Sequence, residues 1–500
     1  MNKFEYLSKE SIDALCELDR QLDTAALASL LIRYLQKPFT LQKLWQYRPY
    51  IRKLSEPEIL SSPVLLCASA VCFLLEGSFS DADRLIQMLP EGSKYRTYCT
   101  FMMPTYTWTP FFAHAKTVIE NGWGPLPNLS ITAGRPYVRN GFRDVTPAWE
   151  AITSNSDQTA VILRAIYGDR WKNAFKLAQA EALYWRDERF ESLMQVVNTL
   201  PLLTTNKDDT SLLFPALFLQ ANILVMNGQT ESVVPAVAAL RAQLHKTGRE
   251  ELLPNVDAME AHAALYDSDY ARVAAWMRNG APDEISDFCL LDIYRYLVKL
   301  RVYIVQQKHL AFTSLAARLL PHLVSGHRVT DECELQVLWA ISDHMRGDKS
   351  GAYQHLQRAL ALAEQYRLDR MLADEGEQIL RLLLLYRKEK GSSPYIDTLI
   401  PLARKVASLY PRYLKLQLPE TPSLSETELI VLRFLADGRS NADIADLLDV
   451  QVDTVKAHCK HIAKKLQTKN RHQAVSRAVE LGILEPATPG TAFSDADIDQ

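Results

Sequence analysis

What the chain lacks narrows its options first. No apolar run approaches the roughly 18 residues that a membrane-spanning helix needs. The longest, Pro63 to Leu75, is too short, and Ser211 to Met226 is interrupted by Pro215, Gln220 and Asn222. The N-terminal stretch MNKFEYLSKESIDALCELDRQ carries acids and no apolar core, so no secretory leader is expected. The seven cysteines (Cys16, Cys67, Cys72, Cys99, Cys289, Cys333 and Cys459) are scattered, odd in number and never in a C-x-x-C pair. Structural disulfides are therefore not expected, the thiols read as small buried hydrophobes, and a reducing cytoplasm is the simplest location. There is no G-x-x-x-x-G-K-[ST] motif and no Gly-Lys dipeptide, which excludes a phosphate-cradling loop of that type. His262, His344 and Trp185 stand alone, without metal-ligand spacing, a nucleophile elbow or paired catalytic carboxylates. Neither enzymatic activity nor a metal or cofactor is expected.

What is present is a long, largely apolar chain. With 500 residues, 48% of them apolar, it is long enough for about three domains with sizeable cores. From about residue 60 to 390 the apolar positions recur at helical spacing. Three segments share one frame: Ala70 precedes Gly77 by seven residues, Ala221 precedes Gly228 by seven, and Ala340 precedes Gly347 by seven. The first continues with Phe79 and Ala82, the third with Ala352, Leu356 and Ala359, and looser copies surround Ala261–Ser268–Tyr270 and Lys308–Leu310–Thr313. Small residues let two antiparallel helices approach, and the glycine allows the tight turn between them. The pattern resembles degenerate tetratricopeptide repeats, whose pairs bury their apolar faces only by stacking into a superhelix.

Two stretches break that rhythm. Residues 97–150 are rich in aromatics, Pro and Gly (WTPFF, GWGPLPN, AGRPYVRNGFRDVTP), and are read as a partly irregular insertion that either lines a ligand groove or plugs the array. Residues 391–423 read as a linker with one helix near Tyr395–Leu409, closing on Pro419 and Pro422. The acidic, Pro- and Gly-containing tail 485–500 is expected to be disordered.

Between linker and tail lies LSETELIVLRFLADGRSNADIADLLDVQVDTVKAHCKHIAKKLQTKNRHQAVSRAVELGIL. Its punctuation marks four short helices. Ser425 and Glu428 form a capping box, Gly438 ends the first helix, Ser440 or Asn441 caps the second, and a turn at Asp449–Gln451 leads into a third, followed by a fourth from Asn470. In the third helix Val455, Cys459, Ile462 and Leu466 recur at intervals of four, three and four and form a stripe to be buried, while Ala457, Lys460 and Lys464 point away from it. Seven basic residues and no acid lie between Thr454 and Arg477, whereas Leu424–Asp453 holds seven acids and two arginines. An acid-free basic face on the second helix of a helix-turn-helix is what phosphate neutralisation and major-groove entry require.

On these residues, and on Leu424, Glu428, Val431, Leu432, Ala436, Gly438, Ser440, Asn441, Ile444, Ala445, Thr454-Val455-Lys456, His458, Ile462, Lys465-Leu466 and Asn470-Arg471, segment 424–484 resembles the DNA-binding domain of LuxR/GerE-type regulators. The resemblance implies that Lys456, Ala457 and Lys460 face base edges. It implies that Asn441, Thr454, His461, Lys464, Lys465 and Arg471 hold phosphates, and the basic Lys469 is placed with them. It also implies dimerisation through the fourth helix and contact with RNA polymerase. Three positions depart from the pattern: Thr427 replaces an Arg, Gln451 a Ser or Thr cap, and Gln467 a Gly, the last two weakening the ends of the third helix. Residues 60–390 are more distantly similar to the helical region of MalT-like regulators, most of all GDKSGAYQHLQRALALAEQYRLDRMLADEGEQILRLL, but without the ATP-binding module that precedes it there.

The expectation is thus an all-α chain: an N-terminal helical segment (1–60), a helical-repeat superhelix (61–390) and a four-helix helix-turn-helix domain. It would bind double-stranded DNA as a homodimer and activate transcription in answer to a small molecule or protein at the repeats. Repression, or a protein-interaction scaffold tethered to DNA, is the alternative.

Overall fold

A computed structural model describes residues 9–484 apart from 22, 38, 105–107, 124–129, 206–209, 285–287, 415–423, 467 and 481–482. The expected disordered tail, the closing prolines of the linker and Gln467 lie outside the described residues. Among the described residues the fold is all-α, with a single isolated β-bridge between Asn140 and Asp144. It divides into two compact units. One comprises residues up to 268 together with 280–416, and the other comprises 417–500 with the helix-bearing stretch 269–279.

In the first unit the expected helix pairs form. Pro63–Leu75 pairs with Phe79–Met88, Thr210–Val225 with Val233–Thr247, and Val329–Met345 with Lys349–Tyr366. Ala70, Ala221 and Ala340 are all buried at the close approach. The turns share one hydrogen-bond pattern. The amide of Ser78 donates to the Phe73 carbonyl at 2.9 Å, Gln229 to Leu224 at 3.0 Å and Asp348 to Asp343 at 2.9 Å. In each, the residue just before the donor has left-handed backbone, and it is Gly77, Gly228 or Gly347. This is a Schellman-type helix end, which glycine adopts without strain. The same bond recurs from Glu188 to Leu183, Lys308 to Tyr303 and Arg328 to Leu323, but with Asp187, Gln307 and His327 in the left-handed position.

The stretch 130–145 is irregular, as its composition predicts, and runs through the interior of this unit. Two arginines anchor it. Arg135 pairs with Asp331 at 2.5 Å, and Arg328 reaches Asp331 at 2.6 Å, the Asn140 side chain at 2.6 Å and the Phe142 carbonyl at 2.7 Å. Asp144 accepts the Thr330 amide, and Glu181 accepts those of Val138 and Arg139. Gly141 is obligatory there, since a Cβ would sit 2.1 Å from the Ile131 carbonyl oxygen. Part of this stretch therefore plugs the array, and its other flank lines a cavity described below.

The helix expected inside the linker, Pro394–Leu409, instead packs on Gly376–Lys390 and buries Leu399, Ile400, Ala403 and Val406. Tyr413 follows it inward, stacking on Tyr266 and donating to Glu375 at 3.0 Å. Five of the seven cysteines are buried and all seven are free thiols.

Candidate nucleic-acid interface

The second unit contains four helices where the caps predict them: Glu426–Ala436, Asn441–Leu448, Val452–Lys465 and Arg471–Glu480. Ser425 and Glu428 close a reciprocal capping box, the hydroxyl accepting at 3.2 Å and the carboxylate at 2.7 Å. A second box resolves the alternative left open at the next helix. Ser440, not Asn441, is its cap, with Asp443 accepting the Ser440 amide at 2.9 Å. Asp449 adopts left-handed backbone in the turn, and Val450 donates back to the Ala445 carbonyl. The third helix opens on Gln451, whose side chain makes no capping bond, as its residue type predicts. At the fourth, Asn470 accepts the Gln473 amide at 2.9 Å while Gln473 accepts that of Lys469.

The core is hydrocarbon. Val431, Leu432 and Leu435 of the first helix, Ile444 and Ala445 of the second, Val455, Ile462 and Leu466 of the third, and Ala474 and Ala478 of the fourth form one cluster. Cys459 is only half-buried at its edge, where its thiol lies 3.8 Å from Asn441 Oδ1.

The opposite side of the third helix carries Thr454, Lys456, Ala457, Lys460, His461 and Lys464, all exposed, and Lys469 is exposed beyond it. Lys460, Lys464 and Lys469 form no ion pair with any described residue. Lys456 pairs with Asp453 one turn back at 2.9 Å, an exposed contact that a phosphate or base can displace at little cost. Asn441 is half-buried beside Cys459.

Two other predicted phosphate holders are engaged within the domain. Lys465 Nζ lies 2.6 Å from the buried Glu428 carboxylate, tying the end of the third helix to the start of the first. Burial opposes the Glu428 charge, but Lys465 and the Ser425 cap overcome it and hold that carboxyl below its ordinary value. Arg471 donates to the carbonyls of Leu435 at 3.3 Å and Arg439 at 2.6 Å, where the first helix ends. Cation side chains complement the orphan carbonyls of a helix C-terminus, and here they fix the fourth helix against the first. Sequence spacing does not reveal either engagement. The available signal was Glu428 itself, a capping-box acid that a buried position leaves in need of a cation.

This arrangement presents a basic helix face, neutralised among the described residues only at Lys456, on an apolar core, a surface suited to a polyanion with a groove. Comparison with known proteins agrees for this part of the chain. Residues 422–478 match the family described as bacterial regulatory proteins, luxR family. The chain is 45% identical over 60 residues to the transcriptional activator protein PhzR of Pseudomonas fluorescens. It is 44% identical over 62 residues to the oxygen regulatory protein NreC of Staphylococcus epidermidis, and 40% identical over 62 to that of Staphylococcus carnosus. Each match takes in 12% of this chain and between 25% and 29% of the relative. The C-terminal segment is thus a luxR-family helix-turn-helix domain, and the matches do not extend to the helical array.

Proposed function

We propose that the chain is a sequence-specific transcription regulator, more an activator than a repressor, that binds double-stranded DNA as a homodimer. The carrying observation is the third helix of the C-terminal domain, apolar and buried on one side, with Lys460 and Lys464 exposed on the other and without acidic partners among the described residues. In this reading Lys456, Ala457 and Lys460 read base edges in the major groove, and Asn441, Thr454, His461, Lys464 and Lys469 hold phosphates. Lys465 and Arg471 serve phosphate binding by fixing the third and fourth helices. The array, residues 61–390 with the helix that follows, is the sensor, and a ligand or partner acts by binding one state of the protein better than the other. The site of action is the cytoplasm, with RNA polymerase a further contact, and no reaction is catalysed.

Selection of genomic DNA fragments by the full-length protein at fixed salt tests this. Discrete, paired sites whose base preference relaxes for Lys460→Ala are expected. Uniform weak retention of all fragments would reject sequence-specific reading.

One observation favours the scaffold alternative. Phe190, Met194 and Val197 lie on one stripe of the helix Arg189–Thr205 and are 71%, 45% and 44% exposed. A protein partner on that stripe would make the array a docking platform.

A further inference from the structure

The irregular stretch that plugs the array also walls a half-open cavity of about 100 Å³, on the scale of a single small ring. Its lining is dominated by rings: Phe101, Phe142, Trp149, Tyr167, Trp171 and Phe175. Trp149 and Trp171 approach Phe175 with centroids 5.7 and 6.1 Å away, in tilted geometry, so the walls support one another.

Two of the lining residues carry a polar group beside this apolar surface. The Trp171 indole N–H is buried and has no hydrogen-bond partner among the described residues. A donor shut away from water with nothing to donate to is unfavourable, and native proteins rarely leave one so. The second is Arg143, whose guanidinium donates to the Phe101 carbonyl at 3.3 Å. Burial lowers it to about 10, so it stays charged at neutral pH while being poorly hydrated. No Asp or Glu is among the described lining residues.

We propose that this cavity binds a small ring-bearing molecule with a carbonyl or carboxylate oxygen, its ring among Trp149, Tyr167 and Phe175 and its oxygen on the Trp171 N–H. The cation of Arg143 in the same wall favours an anionic ligand over a neutral one and disfavours an amine. The stretch bearing Phe142 and Arg143 is the one Arg328 and Glu181 clamp, so occupancy bears on the interior of the array. The inference deepens the sensing role proposed above and rests on it for its biological meaning, but not for the binding itself.

The test uses the full-length protein with phenylacetate, indole-3-carboxylate, their amides, and phenethylamine, followed by calorimetry and tryptophan fluorescence. The acids are expected to bind one per chain with Kd below about 1 mM, the amides more weakly, and phenethylamine not at all. Trp171→Phe keeps the ring and removes the donor, and is expected to weaken acid binding about tenfold. Ala174→Phe fills the cavity from its buried helix and is expected to abolish binding with the melting transition retained. Absence of binding by every acid, equal binding of phenethylamine, or unchanged affinity in Trp171→Phe overturns the proposal. DNA affinity is measured in parallel. An acid that binds without changing it keeps the site and removes the sensing role, and selective DNA binding without any acid bound keeps the regulator and removes the site.

Discussion

The two units place their charges in opposite ways. The array buries them. Arg135, Arg301, Arg328 and Arg370 are each 3% exposed or less, and each meets a carboxylate of the unit, such as Asp331, Glu334 or Asp374. The C-terminal domain buries hydrocarbon, with Glu428 the buried charge among its described residues, and turns its lysines outward. Buried arginines with several fixed acceptors hold one chain path, which an irregular segment needs because it has no helical hydrogen bonds of its own. Exposed lysines contribute little to folding, and their value is realised only on an external anion. The regulator proposed above would use both: a rigidly specified interior for a ligand to alter, and a surface that adds nothing until DNA arrives.

The sharpest way to break this contrast is Arg328→Ala. It leaves Asp331, Asn140 and the carbonyls of Gly141 and Phe142 short of a donor in the interior. A loss of about 3–5 kcal/mol is expected in denaturant unfolding of the full chain. Lys460→Ala should change stability by less than about 0.5 kcal/mol. Similar losses for the two would erase the distinction.

Acidity should separate the units next. Burial pushes Glu181 up to about 7 and Asp374 up to about 6, so both favour their protonated forms in the fold. Their contribution is complete below the ordinary carboxylate range and is lost as pH rises through those values, on the order of 3 kcal/mol for Glu181 alone. The caps of the C-terminal domain run the other way. Hydrogen bonds from Ser440 hold Asp443 below its ordinary value, and Glu428 is likewise lowered. Their contribution is present above that range and fades as pH falls through the lowered values. Amide exchange in the intact chain should therefore show the array loosening from pH 5 to 8 while the C-terminal domain holds. Glu181→Gln should flatten the array's profile, and parallel profiles for the two regions would refute the difference.

The same contrast explains what was legible in the sequence. The C-terminal domain is built from neighbours: caps three residues apart, a core at helical spacing and a continuous basic run, so its helices and its exposed face could be read directly. The array's turns were legible where glycine occupies the left-handed position, only as looser copies where Ser268 or Gln307 does, and invisible where Asp187 or His327 does. Its interior was not legible, because Arg135 and Asp331 lie 196 positions apart and nothing local marks them as partners. The helix Pro394–Leu409 was found but assigned to a linker, since its buried face is visible only once Gly376–Lys390 is in place.

Within the basic face the contrast can be sharpened further. Lys456→Ala and Lys460→Ala should cost about 1–3 kcal/mol of discrimination between sites, read as relaxed base preference in fragment selection. Lys469→Ala should weaken all sequences alike and reduce the slope of log affinity against log salt by about one. Equal loss across sequences from all three would show that the lysines act only as a charged surface.

The smallest effect concerns the end of the third helix. Gln451 has cap-like extended backbone, yet its side chain accepts nothing, and Thr454 donates to the Gln451 carbonyl instead. A serine at 451 adds an acceptor where first-turn amides are exposed, as Ser425 and Ser440 already do for the two preceding helices. Gln451→Ser should stabilise the domain by about 1 kcal/mol in thermal unfolding of the full chain. DNA affinity need not follow. If the uncapped amides of the third helix themselves face a phosphate, an internal cap competes for them, and affinity falls while stability rises. A gain in both would mean that the end of this helix faces water, and that its cations alone carry the contact with DNA.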